Sequence, residues 1–502
     1  MAVGAQSASA SAKYQCFIGG RWIDAANGAV IESEDPFSGE KWALVPRCGA
    51  AEADQAVEAA DKAFVSGAWP AMTASARGQL LFRLGDLVSE QAEMLAKIEV
   101  RDNGKLMTEM HAQTRYLGQW FRYFGGLADK IEGQVIPVDK PDMLNFTRRE
   151  PLGVVAAIVP WNSPLLLMAW KIAPALAAGN TVVVKPSEFT SCSTLEFARI
   201  VEKAGIPPGV FNVLTGFGAE VGEPLVTHPK VAKVAFTGGD ASGRRVYQNA
   251  AAHLKPVVME LGGKSPNIVF DDCVLDDAVN GAIGGIFAAS GQTCIAGSRL
   301  LVQDTVHDEF VERLVKAAGA AKLGDPRLPT TQVGPITTRP QHKKVLDYIA
   351  IGKGEGAAIA LGGKVPEVEG SKSGLFVQPS IFTGVNNRMR IAQEEIFGPV
   401  LSIIRFHDED EAISIANDTN YGLAAGIWTG SIRRAVNVST RVRAGTVWVN
   451  TYRAVSYMSP FGGYKNSGFG RENGQHAIDE YLQTKSVWIN CALETANPFS
   501  IR

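Results

Sequence analysis

Between residues 153 and 260 the apolar positions fall into short strand-length blocks, separated by longer stretches with helical spacing. A run rich in Val and Ala at 154–159 leads into Pro160-Trp161-Asn162-Ser163-Pro164, and a helical stretch at 165–178 stops at Gly179-Asn180. Further strands are predicted at 181–184, 210–214, 231–236 and 256–259, with helices at 193–204, 219–226 and 243–252 between them. The blocks are continuously apolar rather than alternating. This is the pattern of strands covered on both faces, so the segment predicts an α/β fold with a Rossmann-like, doubly wound parallel sheet. Pro174 lacks an amide hydrogen and predicts a kink in the first helix.

A second α/β alternation is read from 263 to about 450. Its strands are near 300–303, 400–406, 424–428 and 446–449, and its helices near 306–320, 409–417 and 432–442. Residues 50–133 are strongly helical, and 134–150 and 485–490 look like strands outside both alternations, of the kind that build subunit contacts. The expected organisation is therefore a nucleotide-type domain from 1–133 and 151–262, a second α/β domain over 263–465, and a small β oligomerisation element from 134–150 and 480–502.

Composition narrows the function. A chain of 502 residues divides into several cores, and 49 Lys and Arg against 51 Asp and Glu leave a net charge of -2, which points to no nucleic acid and no acidic membrane surface. Six cysteines lie scattered without a short-spaced pair, and seven histidines show no ligand spacing, so neither a disulfide framework nor a metal centre is expected. The Ala/Ser-rich residues 1–13 lack the charged and apolar regions of a secretion signal, and residues 154–176 are broken by Pro160, Asn162, Pro164 and Lys171. A reducing cytoplasmic setting fits.

In doubly wound sheets ligands bind beyond the carboxyl ends of the strands, which here carry Asn162, Lys185 and Glu188, Gly216 and Gly218, residues 237–243, and Glu260. Thr237-Gly238-Gly239-Asp240-Ala241-Ser242-Gly243 brings glycines to a helix N-terminus, where a phosphate is stabilised, although a plain turn explains the segment equally well. Lys185 and Glu188 suit a ribose and equally suit a solvated strand end. Cys294, framed by small residues in Gly291-Gln292-Thr293-Cys294-Ile295-Ala296-Gly297, is a reachable thiol or a small buried one. Asn162 serves as an amide donor or a helix cap, and Glu260 as a base or the partner of Lys264. Thiol, carboxylate and amide donor together are what acyl chemistry at a cysteine requires.

Pro160-Trp161-Asn162, Lys185-Pro186-Ser187-Glu188, Phe236-Thr237-Gly238, Glu260-Leu261-Gly262-Gly263-Lys264, Gly291-Gln292-Thr293-Cys294, Glu394-Glu395-Ile396-Phe397-Gly398-Pro399 and Pro460-Phe461-Gly462-Gly463 follow one another along the chain. In that order they resemble the motifs of the aldehyde dehydrogenase superfamily over nearly the whole length. The resemblance implies a small aldehyde substrate and oxidation to the acid. Cys294 is the nucleophile, Asn162 an oxyanion donor and Glu260 the base, with Glu472 and Lys171 behind it moving protons. It assigns the cofactor NAD to Pro160, Trp161, Lys185, Ser187, Glu188, Gly218, Thr237, Gly238, Gly239, Gly243, Leu261, Glu395 and Phe397. Glu188 favours NAD, with NADP left open. Gly239 and Asp240 replace the usual Ser-Thr, which puts a hydroxyl contact to the pyrophosphate in doubt. Homodimers or homotetramers are expected.

The same resemblance puts Ser163, Leu167, Trp170, Ala288, Thr293, Ile295, Arg453, Val455 and Phe461 around the substrate. Ser163, Ala288 and Val455 are small where relatives carry aromatics, so a roomier or more polar pocket and a functionalised (semi)aldehyde are expected. Arg453 meets either a substrate carboxylate or carbonyl, or a structural partner. Two alternatives stay open: transfer of the acyl group to coenzyme A, and a non-catalytic protein that reuses the fold.

Overall fold

The computed structural model describes residues 11–494 together with Asn497 and Phe499. Most of the N-terminal tail and the last residues of the 480–502 element lie outside the described residues. The five predicted strands are present as Val154–Ile158, Thr181–Lys185, Phe211–Val213, Val231–Thr237 and Val257–Glu260. All five pair in parallel, and Val154–Ile158 lies between Val231–Thr237 and Thr181–Lys185. The strand order therefore reverses at Val154–Ile158, which opens a crevice beyond its carboxyl end and that of Val231–Thr237.

Burial explains the continuous apolar blocks. Every residue of Val154–Ile158 and Thr181–Lys185 is buried, as is nearly all of the helix Pro164–Ala177 that follows the first strand. Each such Val or Leu side chain stabilises the fold by about 1.5–3 kcal/mol. Pro174 falls in the last turn of this helix, which runs through it to Ala177. Residues 219–226 form a wide π turn, Gly218–Gly222, that passes into the short helix Glu223–Thr227.

Both edges of this sheet are antiparallel additions absent from the sequence reading. Cys16–Ile18 and Arg21–Ile23 close one edge, while Gly468–Phe469 pairs with Val257–Glu260 at the other, making eight strands. The sharp turn at Gly19-Gly20 needs both left-handed φ angles, and a Cβ on Gly20 would stand 2.7 Å from Pro208. A separate small sheet pairs Lys41–Pro46 with Ala12–Lys13 and Val30–Glu34. Cys16 and Cys48, distant in sequence, meet in this region with sulfurs 3.4 Å apart, both as free thiols.

The second alternation is a seven-stranded sheet containing Arg299–Gln303, Val400–Phe406, Ala424–Trp428 and Thr446–Val449. Three of its strands were not read from the sequence: the central Pro266–Val269, and Ala358–Leu361 with Ser380–Thr383 at one edge. The extra strands form a fourth sheet, in which Met143–Pro151 pairs with Leu482–Asn490 along nine residues and with Val135–Ile136. Leu144, Trp488 and Ile489 are exposed on it. No helix among the described residues is long and apolar enough to cross a membrane.

Candidate active site

The crevice holds a cavity of about 440 Å³. Its walls begin where the strands end: Pro160, Trp161 and Asn162 after the first strand, Lys185, Ser187 and Glu188 after the second, and Thr237, Gly238 and Gly239 after the fourth. A Cβ on Gly218 or Gly239 would meet only open space, so these two glycines expose backbone to the cavity, Gly239 at the N-terminus of the helix Asp240–Ala252. The Lys185 ammonium donates to Pro186 O at 2.9 Å and lies 3.6 Å from the half-buried Glu188 carboxylate, leaving that carboxylate free to accept from hydroxyls. Gly243 stands behind the wall, where a Cβ would collide with Leu261 Cδ2 at 2.4 Å; it lets the helix pack on the loop that carries Leu261. Asp240 is turned away, accepting from Tyr421 Oη at 2.7 Å, while Ser242 offers a hydroxyl on the wall.

Across the cavity the second sheet contributes Glu395 and Phe397. Glu395 Oε1 accepts from Gly263 N at 3.0 Å, and burial pushes its carboxyl up to about 7. Phe397 has a left-handed backbone, φ 60°, a strained conformation for such a residue. Gln341 holds it there by donating to Ile396 O and Phe397 O at 2.8 and 2.9 Å, and the Phe397 ring meets Trp161 edge-on at 5.2 Å. The donor set suits a ligand with an anionic middle and a hydroxyl-rich group at each end. Gln341, Lys344, Arg245 and Asn249 also line the cavity. Sequence reading missed them because they lie on amphipathic helices, where a polar residue reads as solvated surface.

Cys294 lies on the same cavity, half-buried, after a tightly constrained turn. Ala289 and Ser290 both have φ 53°, and Gly291, at φ 71°, approaches Gly398 so closely that a Cβ would stand 2.1 Å from its carbonyl oxygen. Four contacts hold the turn. Ala289 N donates to Glu109 Oε1 at 2.8 Å, Ser290 Oγ to Gly334 O at 2.8 Å, Thr337 N to Gln292 Oε1 at 2.9 Å, and Asn162 Nδ2 to Gln292 O at 3.0 Å. The last bond uses one hydrogen of the Asn162 amide and leaves the other.

The thiol of Cys294 is pushed up to about 12, by burial first and then by the carboxyls of Glu260 and Glu395, against backbone N–H groups of Cys294 and Ile295 that favour the thiolate. Glu260 ends its strand on the cavity, 3% exposed, and neither of its carboxylate oxygens has a hydrogen-bond partner among the described residues. Burial and the adjacent Glu472 hold it well above the usual carboxylate range. Behind it Lys171 donates to Thr237 Oγ1 at 2.6 Å and to Glu472, all three buried, and burial raises Glu472 as well. Glu472 is tied by its backbone to Phe461, the two exchanging N–H···O bonds of 2.7 Å.

Of the substrate-side candidates, Leu167 lines the cavity. Leu167, Trp170, Ile295 and Phe461 share one apolar cluster, against which Cys294 and Val455 pack. The Trp170 ring stacks on Trp120 at 6.2 Å and meets Phe461 edge-on at 5.0 Å. Thr293 is buried with its hydroxyl unpartnered among the described residues, and Ala288 lies half-buried beside the strained turn. Ser163 accepts from Lys105 Nζ at 2.9 Å, and Arg453, at φ 65°, donates to Gly284 O at 3.2 Å. Lys105 was missed: a lone lysine between two helices carries no sequence signal until the left-handed turn at Gly104 aims it inward.

A partly exposed thiol, an unpaired buried carboxyl and a strand-end crevice of dinucleotide type define a cysteine-dependent oxidoreductase site. The aldehyde dehydrogenase family pattern matches residues 22–487, and the chain belongs to that family. It is 46% identical, over 98% of its length and 100% of the relative's, to the (Z)-2-((N-methylformamido)methylene)-5-hydroxybutyrolactone dehydrogenase of Acinetobacter baylyi. A betaine aldehyde dehydrogenase from Staphylococcus aureus, solved with NAD+, superposes with a TM-score of 0.95 at 40% identity, covering 97% of each chain. The NAD+ complex of an aldehyde dehydrogenase from Bacillus cereus gives 0.93 at 43% identity, covering 96% of this chain and 97% of that one.

Proposed function

We infer that the protein oxidises an aldehyde to its carboxylic acid with NAD, through a covalent acyl intermediate on Cys294. The observation that carries this reading is the convergence of Cys294, Asn162 and Glu260 on the cavity whose other residues suit a dinucleotide. The relatives solved with NAD+ support the cofactor, and Glu188 supports NAD over NADP because its carboxylate accepts from ribose hydroxyls and repels a 2′-phosphate.

NAD, when bound, accepts the hydride. The residues of the chain do the rest. Cys294 Sγ bonds to the carbonyl carbon while the second amide hydrogen of Asn162 and the Cys294 backbone N–H stabilise the oxyanion. Hydride loss from that carbon leaves a thioester. Glu260 then removes a proton from water, whose oxygen attacks the thioester and expels the thiolate. Its unpaired oxygens suit both that role and the earlier removal of the thiol proton, and Glu472 with Lys171 gives the proton an outlet. An intact Glu260 favours hydrolysis over transfer to coenzyme A. The exposed apolar side chains Leu144, Trp488 and Ile489 on the fourth sheet support association of copies into homodimers or homotetramers.

The test is a panel of aldehydes with NAD, read by NADH absorbance and acid formed. Equal amounts of NADH and acid are expected, with no acyl-CoA when coenzyme A is added. Cys294→Ala abolishes turnover and retains NAD binding; unchanged oxidation by that variant overturns the reading.

A further inference from the structure

Cys16 and Cys48 lie apart from the Cys294 site, and the hydrogens around them specify how they meet. Their sulfurs stand 3.4 Å apart, and Cys16 Sγ is also 3.4 Å from Thr215 Oγ1. Thr215 spends its one hydroxyl hydrogen on Pro46 O at 2.5 Å. Its oxygen therefore accepts from the Cys16 thiol, which leaves the Cys48 thiol to donate to Cys16 Sγ. Thr215 N also donates to Cys16 Sγ, at 3.4 Å. The Cys48 thiol, and after it the Thr215 donors, favour the thiolate at Cys16, whereas Cys48, donating and buried, is held as the thiol. A thiol poised as thiolate beside a second thiol is the pair from which a disulfide forms.

Both residues are almost wholly buried, which shuts out bulky alkylating reagents but not a small oxidant entering by local opening. What the pair touches leads to the wall of the dinucleotide-type cavity. Thr215 runs through Gly216 and Phe217 to Gly218 and Ala219, which line it. The segment 46–48 is fastened along this loop: Cys48 N donates to Thr215 O at 3.0 Å, Arg47 Nε to Glu220 Oε2 at 2.9 Å, and the Arg47 guanidinium covers the Phe217 ring at 4.9 Å. Packing there leaves no slack, since a Cβ on Gly216 would stand 2.9 Å from Cys48 O. Bonding the sulfurs removes both thiol hydrogens. The Cys16 bond to Thr215 Oγ1 is then lost, and Cys48 is drawn toward the strand Cys16–Ile18 together with the segment that holds the loop.

We propose that Cys16 and Cys48 are a peroxide-oxidisable pair, and that their disulfide displaces the loop 215–219 and weakens NAD binding. The Cys16 sulfur attacks one oxygen of hydrogen peroxide, the O–O bond breaks and one water leaves, giving a sulfenic acid. The Cys48 sulfur then attacks the Cys16 sulfur, the S–O bond breaks, and the Cys48 thiol proton leaves with the hydroxide as a second water. Two electrons pass from the sulfurs to the peroxide, and a dithiol reductant reverses the change. The effect on NAD rests on the cofactor reading above, whereas formation of the disulfide does not.

Cys294→Ala keeps the nucleophile out of the oxidation and is the protein to treat with hydrogen peroxide. Mass spectrometry of the unreduced digest is expected to find the Cys16 and Cys48 peptides joined, two hydrogens lighter than the free pair. The Kd for NAD is expected to rise about tenfold, and dithiothreitol to restore it. Adding Cys48→Ala, or Cys16→Ser in its place, keeps the affinity of the reduced protein and abolishes the response to peroxide, and the second variant covers a folding failure in the first. Thiols that stay free, a sulfinic acid at either residue without the cross-link, or a Kd unmoved once the cross-link has formed overturns the proposal. Failure of the reduced protein to bind NAD instead overturns the cofactor reading, while the cross-link is still scored by mass.

Discussion

On the cofactor side of Cys294 the walls are largely strand ends and exposed backbone, with Gly218 and Gly239 giving access and Glu188 and Glu395 at separate ends. On the opposite side the surface is built of side chains from segments far apart in sequence: Lys105, Ser163, Trp170, Arg453 and Phe461. Backbone and glycine at strand termini can grip a ligand common to many proteins, since that grip depends on where the sheet reverses. A side-chain wall changes residue by residue without disturbing the sheet. On the proposed reading, the first side holds the hydride acceptor and the second is where a choice among aldehydes would be made.

The comparison breaks most readily at the residue between the two sides. Glu260→Gln is expected to slow hydrolysis by about three orders of magnitude while leaving acyl-enzyme formation possible, so mass spectrometry after incubation with aldehyde and NAD should find acyl mass on Cys294. Turnover near wild type, with no adduct, would remove Glu260 from the base role. A smaller effect concerns the thiol. With its pKa pushed up to about 12, Cys294 holds more thiolate as pH rises, so alkylation of the free enzyme should accelerate roughly tenfold per pH unit between about pH 7 and 9. A plateau inside that window would mean a thiolate already formed. The smallest effect sharpens the cofactor side alone: Glu188→Ala should raise KM for NAD about tenfold, lower that for NADP, and leave the preference among aldehydes unchanged.

Legibility followed the same division. The parallel sheet could be read from residues 154–259 because its strands are buried on both faces and appear as unbroken apolar blocks. The edge strand Val30–Glu34 could not, since its residues are mostly exposed or half-buried and too polar to stand out. Pro266–Val269, central in the second sheet, is only four residues long and begins with a proline. In the site, Cys294, Asn162 and Glu260 were legible because each sits in a motif with its neighbours. Lys105 and Gln341 were not, because their roles depend on where a turn or helix directs one side chain: Lys105 toward Ser163, and Gln341 under the strained carbonyl of Phe397.

The edge strand Gly468–Phe469 has a consequence in time. It joins the first sheet alongside the strand that bears Glu260, and it delivers Glu472 to Lys171, 301 residues earlier in the chain. During synthesis the proposed nucleophile Cys294 and base Glu260 leave the ribosome well before Glu472 does, and domains form as their residues emerge. A chain arrested short of residue 468 therefore holds the thiol and the carboxyl of Glu260 but leaves the Lys171 ammonium without the Glu472 carboxylate it donates to. On the proposed mechanism, readiness to hydrolyse a thioester is then acquired only after the nucleophile and the base are in place.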